Sequence, residues 1–350
     1  MALRNTDAAR RGTIGGCLEL KRGQGPMPFA VQIARQGGPE EMKLVELPVG
    51  APGPGEVRIR HHAIGLNFID VYHRTGLYPL AMPAAIGMEG AGIVEAVGEG
   101  VTVVAPGDRV VYCDGPLGGY ASERNMPASV LLKLPQYVSE QHIAAGFLRA
   151  MTVEYLLNRT YKCKPGDTIL FHAAAGGVGL IAAQWCRAIG VNMIGTVGSD
   201  DKGKLALDHG CKHVINYNTE NFVERVKEIT GGKKVPVVYD SVGKDTWPAS
   251  LDCLQPLGLM VSFGNSSGPV TGVDLGILAA KGSLYVTRQT LMAYTSSRAT
   301  TEEMANNVFN MMKDGKIDLA ARQTYSLADA AQAHRDLEAR KTVGGVILVP

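Results

Sequence analysis

The pattern of hydrophobic and polar positions changes near Ser139. Before it, short alternating runs such as 56–60, 92–98 and 108–112 are separated by turns rich in proline and glycine, for example 51–55. Alternation with a period of two predicts half-buried strands, and glycine and proline between them predict tight turns. The first part of the chain is therefore predicted to be a compact, barrel-like β domain.

After Ser139 the apolar runs alternate between strand-like and helix-like lengths. Strand, helix, strand repeated in this way requires right-handed crossovers and a parallel sheet covered on both faces. The sequence thus predicts a doubly wound Rossmann domain. Its predicted strands are 168–172, 192–197, 213–216, 235–239, 259–263 and 283–287, and its predicted helices are 178–189, 202–209, 220–230 and 246–254.

Two further helices, 301–313 and 328–340, precede a last apolar strand at 345–349. That strand follows the sixth strand of the predicted sheet, so we expect it to return to the first domain. The predicted organisation is an N-terminal extension at 1–27, a β domain at 28–150 completed by 291–350, and a dinucleotide-binding domain at 151–290.

The turn between the first predicted strand and helix of the Rossmann domain is rich in small residues, Ala173-Ala174-Ala175-Gly176-Gly177-Val178-Gly179. A tight turn that opens a helix offers free N–H groups and the helix dipole to an anion, which suits a dinucleotide pyrophosphate. The match to G-x-G-x-x-G is a variant, with Ala174 in the first glycine position. A glycine turn between two core elements is the alternative interpretation.

Sites that prefer NAD carry an acidic residue at the end of the second strand, where it binds the ribose 2′-hydroxyl. Here that position reads Thr196-Val197-Gly198-Ser199, and Ser199 and Lys202 offer a hydroxyl and a cation to a 2′-phosphate. The sequence therefore favours NADPH. If the strand were two residues longer, Asp200 or Asp201 could bind a ribose instead.

Composition narrows the classes of function. With a net charge of +2 and no basic stripe, nucleic acid and anionic membranes are not expected as main partners. No apolar stretch reaches the length of about 20 residues that spans a bilayer. The six cysteines are scattered, without pairing or metal-ligand spacing, and His61 and His62 would point to opposite faces of a strand, so no metal site is expected.

Residues 1–26 are rich in arginine, lysine and glycine and lack apolar periodicity. Their basic residues suggest an organelle presequence, but Asp7 and Glu19 and the absence of serine weaken that interpretation. We expect a disordered extension on a cytoplasmic protein, with organelle targeting as the alternative.

Several motifs together resemble the zinc-free, zeta-crystallin-like quinone oxidoreductases of the medium-chain dehydrogenase/reductase superfamily. The resemblance covers about residues 29–350 and implies a GroES-like β-barrel-type domain joined to the Rossmann domain. The motifs that carry it are the glycine turn, Gly87-Met88-Glu89-Gly90-Ala91-Gly92, Gly107-Asp108-Arg109-Val110, Asn67-Phe68-Ile69-Asp70 with Gly76-Leu77-Tyr78-Pro79, Val238-Tyr239-Asp240-Ser241-Val242-Gly243, and Ser262-Phe263-Gly264-Asn265-Ser266.

The chain departs from the zinc-dependent branch of the superfamily at two ligand positions. Asn67 stands where that branch has a cysteine, and Met88 stands where it has a histidine. Without a Lewis acid, the acceptor must need little polarisation, and a quinone meets that condition. The resemblance therefore implies transfer of hydride, or of single electrons, from NADPH to a quinone without a metal.

The residues that match the family's motifs predict a cofactor site. Each of them, taken alone, also has a structural explanation that does not involve the cofactor. Asn67 could satisfy a turn, Tyr217 could be a half-buried strand residue, and Arg340 could cap the end of its helix. The predicted set is Asn67, Thr152, Gly176, Gly177, Val178, Gly179, Ser199, Lys202, Tyr217, Val242, Phe263, Gly264, Ser266, Val286, Thr287, Arg288 and Arg340.

The reduced acceptor also needs a proton, and Tyr72 and Tyr78 are the predicted donors, with solvent as the alternative and half-buried packing as their ordinary explanation. The predicted catalytic residues are thus Tyr78, Tyr72 and Asn67. An NADPH-dependent reductase of enals or enoyl thioesters is the enzymatic alternative, and a non-catalytic NADPH-binding or RNA-binding role is the alternative of another class. The resemblance further implies a homodimer formed through strand 283–287.

Overall fold

A computed structural model describes residues 27–350 of the chain. The predicted N-terminal extension therefore lies, apart from Met27, outside the described residues. Within them, no helix combines the length and the apolarity that crossing a bilayer requires.

The strands of the described residues, in chain order, are β1 (Phe29–Ile33), β2 (Met42–Glu46), β3 (Glu56–Gly65), β4 (Ala84–Ala85), β5 (Glu89–Val97), β6 (Arg109–Tyr112), β7 (Glu123–Pro127), β8 (Leu132–Lys133), β9 (Thr168–Phe171), β10 (Asn192–Val197), β11 (His213–Asn216), β12 (Val235–Asp240), β13 (Leu254–Ser262), β14 (Tyr285–Arg288), β15 (Ala321–Ser326) and β16 (Gly345–Val349). The α-helices are α1 (Phe68–Thr75), α2 (Glu140–Ala144), α3 (Phe147–Tyr155), α4 (Gly177–Ile189), α5 (Asp200–His209), α6 (Phe222–Ile229), α7 (Trp247–Ser250), α8 (Gly276–Ala280), α9 (Leu291–Tyr294), α10 (Arg298–Lys313) and α11 (Ala330–Glu338).

The six predicted strands of the second domain form one sheet in the order β11-β10-β9-β12-β13-β14, and every pairing in it is parallel. This is the strand order of a dinucleotide-binding fold, with the change of direction between β9 and β12. The predicted doubly wound fold is confirmed.

Both faces of this sheet are buried, as a parallel sheet requires. Phe171 and Val237 pack into the cluster that contains α3, α4 and α10, whereas their neighbours Leu170 and Val238 pack with Val226 of α6 on the other face. The apolar runs are continuous because adjacent side chains in a strand point to opposite faces.

The β domain is built on a sheet in the order β15-β16-β3-β5-β6-β8, with β7 also on β3, next to a small sheet β2-β1-β4. The C-terminal strand β16 pairs antiparallel with β3 through Ile347 and Gly65. The C-terminal strand thus completes a sheet whose other strands come mainly from residues 56–133. The predicted boundary at residue 150 falls inside α3, so this helix is continuous across it.

One predicted helix is shorter in the structure, and several elements of the structure were not predicted. The predicted helix 246–254 is only α7, followed by a 3-10 turn at Leu251–Cys253 and then by β13, which begins at Leu254 rather than 259. Pro248 at the start of α7 fits a helix beginning, but too few residues follow before the chain enters the sheet. The hydrophobic pattern also failed to predict several short elements, namely α1, α2, α3, α8, α9 and β15.

Candidate active site

The glycine turn lies between β9 and α4. Gly176 is the N-cap residue of α4. Because glycine has no side chain, no N-cap side chain accepts a hydrogen bond from the N–H groups of the first turn. A Cβ on Gly179 would lie 2.5 Å from the carbonyl oxygens of Ala173 and Ala174, so only glycine fits there. Uncapped N–H groups at a helix N-terminus can bind a pyrophosphate, and glycines let the phosphates come close to the backbone.

The alanine in the first glycine position has a structural explanation. Ala174 is buried, and its N–H donates to Thr196 O of β10 at 3.0 Å. Its Cβ faces Gly195 of β10, where an added Cβ would lie only 2.5 Å away. Gly195 therefore provides the space that Ala174 occupies.

Arg149 of α3 connects the glycine turn to the β domain, although the sequence did not single it out. Its Nε donates to Asn67 Oδ1 at 3.0 Å and its Nη1 donates to Gly344 O at 2.8 Å. Any Cβ on Gly177 would overlap Nη1 of this guanidinium. Burial lowers the pKa of Arg149, against the pull of Glu89. A buried cation thus lies beside the predicted pyrophosphate position and next to Asn67.

Asn67 begins α1 and is buried. Its Nδ2 donates to Glu89 Oε2 at 2.7 Å, and Glu89 Oε1 accepts from Leu148 N at 2.8 Å. Burial raises the pKa of Glu89 to about 7, while the charge of Arg149 acts in the opposite direction. The amide of Asn67 is therefore held between a carboxyl group and a guanidinium.

Metal ligation is not supported by the residues at these positions. Asn67 and the buried thioether of Met88 stand at the two ligand positions. Within residues 27–350 no group of three or more histidine, cysteine, aspartate or glutamate side chains is arranged to hold an ion. The metal-free site stays a prediction.

The residues predicted to bind the adenosine end meet at the ends of β10 and β11. Ser199 caps α5, and its Oγ accepts from Lys202 N at 3.4 Å. A Cβ on Gly198 would lie 2.6 Å from Tyr217 Oη, so the phenol lies directly over the strand end. Tyr217 and Ser199 therefore lie beside Gly198, and Lys202 follows in the first turn of α5, which Ser199 caps.

The two aspartates that follow do not occupy a ribose-binding position. β10 ends at Val197, so the longer strand that such a role required is not formed. Asp200 Oδ1 accepts from Asn216 Nδ2 at 2.8 Å. Asp201 is exposed, and its Oδ1 lies 3.8 Å from Lys204 Nζ. Both aspartates therefore belong to α5 and not to the end of β10.

An open groove of about 770 Å³ begins at Tyr217 and continues along α6 to Asp252. Tyr217 is its only member among the predicted site residues. The groove is lined by none of the residues predicted for the nicotinamide half, so the acceptor is not assigned to it.

The loops after β12 and β13 are joined at the carboxyl edge of the sheet, where open α/β folds bind their ligands. Asp240 Oδ1 accepts from Val242 N at 2.7 Å, and Asp240 O accepts from Phe263 N at 2.8 Å. Ser266 N donates to Ser241 O at 3.1 Å. Three predicted residues, Val242, Phe263 and Ser266, therefore lie in one joined unit. Asp240 holds this unit together and was not predicted.

Close approach of the two loops explains Gly264, because a Cβ there would lie 2.5 Å from Ser241 O. Next to this unit, β14 places Val286 beside Met260 and Arg288 beside Ser262, with Thr287 between them. The predicted nicotinamide residues thus lie on neighbouring strand ends.

The structure does not directly join Thr152 and Arg340 to the glycine turn. Thr152 Oγ1 donates to Leu148 O at 2.8 Å, within α3 and one turn from Arg149. Arg340 follows α11 with a φ of 58° and is exposed. It precedes Gly344, the acceptor for Arg149, by only a few residues.

Tyr72 and Tyr78 face the cofactor domain across the cleft. Asn265 N donates to Tyr72 Oη at 3.0 Å, and Arg288 Nη2 donates to Tyr78 Oη at 3.2 Å. The two rings meet edge to face with centroids 5.4 Å apart. Asn265 belongs to the motif at residues 262–266 but is not one of the predicted site residues.

Fold and site define the class of protein as a two-domain oxidoreductase that uses a pyridine dinucleotide. Its Rossmann sheet offers an open helix N-terminus, and the opposite domain contributes a buried amide and two phenols.

Comparison with known proteins defines the family. The model of the alcohol dehydrogenase GroES-like domain matches residues 53–136, and that of the zinc-binding dehydrogenase matches residues 177–312. The quinone oxidoreductase of Salmonella typhimurium is 54% identical over 327 residues, which cover 93% of this chain and all of the relative. The solved structure of Escherichia coli quinone oxidoreductase complexed with NADPH has a TM-score of 0.90 at 52% identity, covering 92% of this chain and 100% of that one. A 2-haloacrylate reductase of a Burkholderia species is 45% identical over 334 residues, covering 93% of this chain and 99% of the relative.

The chain belongs to the quinone oxidoreductase family of the medium-chain dehydrogenase/reductase superfamily. The family predicted from the sequence motifs is confirmed.

Proposed function

We propose that this protein is an NADPH:quinone oxidoreductase. The observation that carries the proposal is the pair of phenols, Tyr72 and Tyr78, facing the nicotinamide end of a dinucleotide site in which Asn67 and Met88 replace zinc ligands. Relatives named quinone oxidoreductases at 52–54% identity support it, as does the NADPH complex of one such protein.

The arrangement of several predicted residues supports NADPH as the cofactor. The unblocked N-terminus of α4 suits the pyrophosphate, and Ser199, Lys202 and Tyr217 suit the 2′-phosphate. When bound, the cofactor supplies a hydride. The residues proposed for its nicotinamide half are Val242, Phe263, Gly264, Ser266, Val286, Thr287 and Arg288, with Asn67, Thr152 and Arg340 as further members of the site.

The protein's own contribution is position and proton supply. Asn67 is held in place by Glu89 and Arg149. The phenols donate to the acceptor oxygen where negative charge develops. No metal is included in this proposal.

Steady-state oxidation of NADPH by 1,4-benzoquinone and by a naphthoquinone tests the proposal. We expect turnover with both quinones and slower turnover with NADH. Failure of the purified protein to reduce any of several quinones would remove the proposal. The double variant Tyr72→Phe and Tyr78→Phe should keep its affinity for NADPH and lose turnover.

Reduction of a conjugated alkene is the second candidate. One relative is named for 2-haloacrylate, an alkene conjugated to a carboxylate, and the same phenols could protonate the carbon skeleton after hydride addition. Turnover on a quinone compared with turnover on a crotonyl thioester separates the two functions, and faster reduction of the thioester would reverse our order.

A non-catalytic, RNA-binding role is less well supported because the net charge is only +2. Tight RNA binding at physiological salt that NADPH displaces, measured by filter binding, would favour it.

Self-association is also part of the proposal. β14 lies at the edge of its sheet and exposes Tyr285 and Val286, and an exposed, apolar edge strand can pair with another chain. We propose a cytoplasmic homodimer joined at β14. Sedimentation as a monomer would contradict the dimer.

A further inference from the structure

Tyr72 and Tyr78 belong to the β domain, but the hydrogen-bond donors that reach their hydroxyl groups come from the cofactor domain. Asn265 N lies 3.0 Å from Tyr72 Oη, and Arg288 Nη2 lies 3.2 Å from Tyr78 Oη. With its amide oriented so that Oδ1 faces Arg288, Asn265 also accepts from Nη2 at 2.9 Å and donates to Gly264 O at 3.0 Å. One loop and one strand end thus contact both phenols.

The direction of these hydrogen bonds is fixed by chemistry. A backbone N–H and a guanidinium can only donate, so each phenol oxygen must accept. Each phenol therefore retains its own O–H proton for another partner. In the part of the chain that the structure describes, no protein acceptor takes either proton.

We propose that Arg288 and the N–H of Asn265 are positioning groups that orient Tyr78 and Tyr72 as proton donors toward the reducible oxygen of the acceptor. The proposal rests on the proposed quinone reductase function and deepens it. Since the phenols and their positioning groups lie in different domains, the donor pair depends on the contact between the two domains.

The reaction balances with these groups. Reduction of a quinone to a hydroquinone takes one hydride, which leaves the nicotinamide oxidised, and one proton. As the acceptor oxygen gains the proton, the phenol O–H bond breaks, and solvent then returns a proton to the phenolate. Arg288, next to Tyr78 Oη, stabilises the transient negative charge.

The surroundings of Tyr72 agree with this assignment. Burial raises the pKa of Tyr72, and both the Asn265 N–H and the charge of Arg288 act in the opposite direction. Loss of the positioning groups would leave a phenol that is harder to deprotonate.

A double-mutant cycle tests whether Arg288 acts through Tyr78. We expect Arg288→Met to lower kcat for a quinone by about threefold to tenfold, the range of one hydrogen bond, and to have no further effect in the Tyr78→Phe background. Arg288→Lys should recover part of kcat. NADPH affinity, followed by fluorescence titration, should stay within about twofold of wild type, because the cofactor contact proposed for Arg288 uses its backbone, which the substitution leaves in place.

Arg335→Met is the matched control, because Arg335 is an exposed arginine on α11 without a contact to either tyrosine among residues 27–350. Full activity of Arg288→Met, or an equal loss in the wild-type and Tyr78→Phe backgrounds, would overturn the inference. Weakened NADPH binding with unchanged kcat would also overturn it, since Arg288 would then bind only the cofactor. Absence of quinone turnover by the wild type would instead contradict the proposed function itself.

Discussion

The contact between the glycine turn and β10 makes Gly195 the most informative position to perturb. An added Cβ at Gly195 would lie 2.5 Å from Ala174 Cβ and 3.0 Å from Cys211 Sγ. Ala174 is fully buried and belongs to the turn that offers its backbone to the pyrophosphate. Gly195→Ala therefore perturbs cofactor binding from a position behind the turn.

The expected magnitude follows from the distance. Two carbon atoms pack favourably at about 3.5–4.0 Å, so either the turn or the strand must move by about 1 Å. Overpacking of this kind costs about 1–3 kcal/mol. If the turn moves, the dissociation constant of NADPH rises about fivefold to hundredfold. If the turn stays in place, the free energy of unfolding falls by about 1–3 kcal/mol instead.

Fluorescence titration with NADPH and urea unfolding measure the two outcomes. Ala174→Gly, added to Gly195→Ala, should restore most of the lost affinity or stability, because it removes the methyl group that the new Cβ of residue 195 meets. The remaining contact with Cys211 should keep the rescue incomplete. Gly50→Ala is the matched control, since a Cβ at Gly50 meets nothing within 4 Å, and it should change either quantity by less than about 0.5 kcal/mol.

Two results would refute the reasoning. Gly195→Ala could bind NADPH and unfold like the wild type, or Ala174→Gly could fail to restore either property. The first would mean that the turn accommodates the methyl group without cost, and the second would place the strain elsewhere.

Three further predictions concern charge. Lys202→Ala should weaken NADPH binding about tenfold and leave NADH binding within about twofold, as titration with both cofactors would show. Burial raises the pKa of Asp70 to about 7, so the stability that it contributes is full below about pH 4 and is lost as the pH rises through 7. The free energy of unfolding of the wild type relative to that of Asp70→Asn, from urea unfolding, should therefore fall from about pH 4 to about pH 7 and level off above it. A difference that does not change with pH would contradict this. Glu338→Gln should lower the free energy of unfolding by about 2 kcal/mol, because it removes the carboxylate that lies 2.8 Å from Nη2 of the buried Arg74. Adding Arg74→Met should recover part of that stability, as urea unfolding would show.

Some unpredicted features did leave a signal in the sequence. Asn67 is followed three residues later by Asp70, whose Oδ2 accepts from Asn67 N at 2.8 Å. A capping residue with an acid at this spacing is typical of a helix beginning, so α1 could have been predicted from residues 67–70. The apolar residues of α1 are too few to show helical periodicity in the sequence.

Other features left no such signal, because the partners lie far apart in the chain. Arg149 reaches Asn67 across 82 positions, and Asn265 reaches Tyr72 across 193. An arginine inside an apolar helix and an asparagine after a strand have many possible roles. Only folding both domains around one cleft brings these pairs into contact.

The sequence by itself determined the parallel sheet, the glycine turn, the preference for NADPH and the family. These depend on hydrophobic periodicity and on short motifs, in which neighbours along the chain act together. The tertiary structure decided how Ala174 replaces a glycine, which groups fix Asn67, and which donors reach the two phenols. Those outcomes depend on steric fit and hydrogen-bond direction between distant segments, which no local pattern encodes.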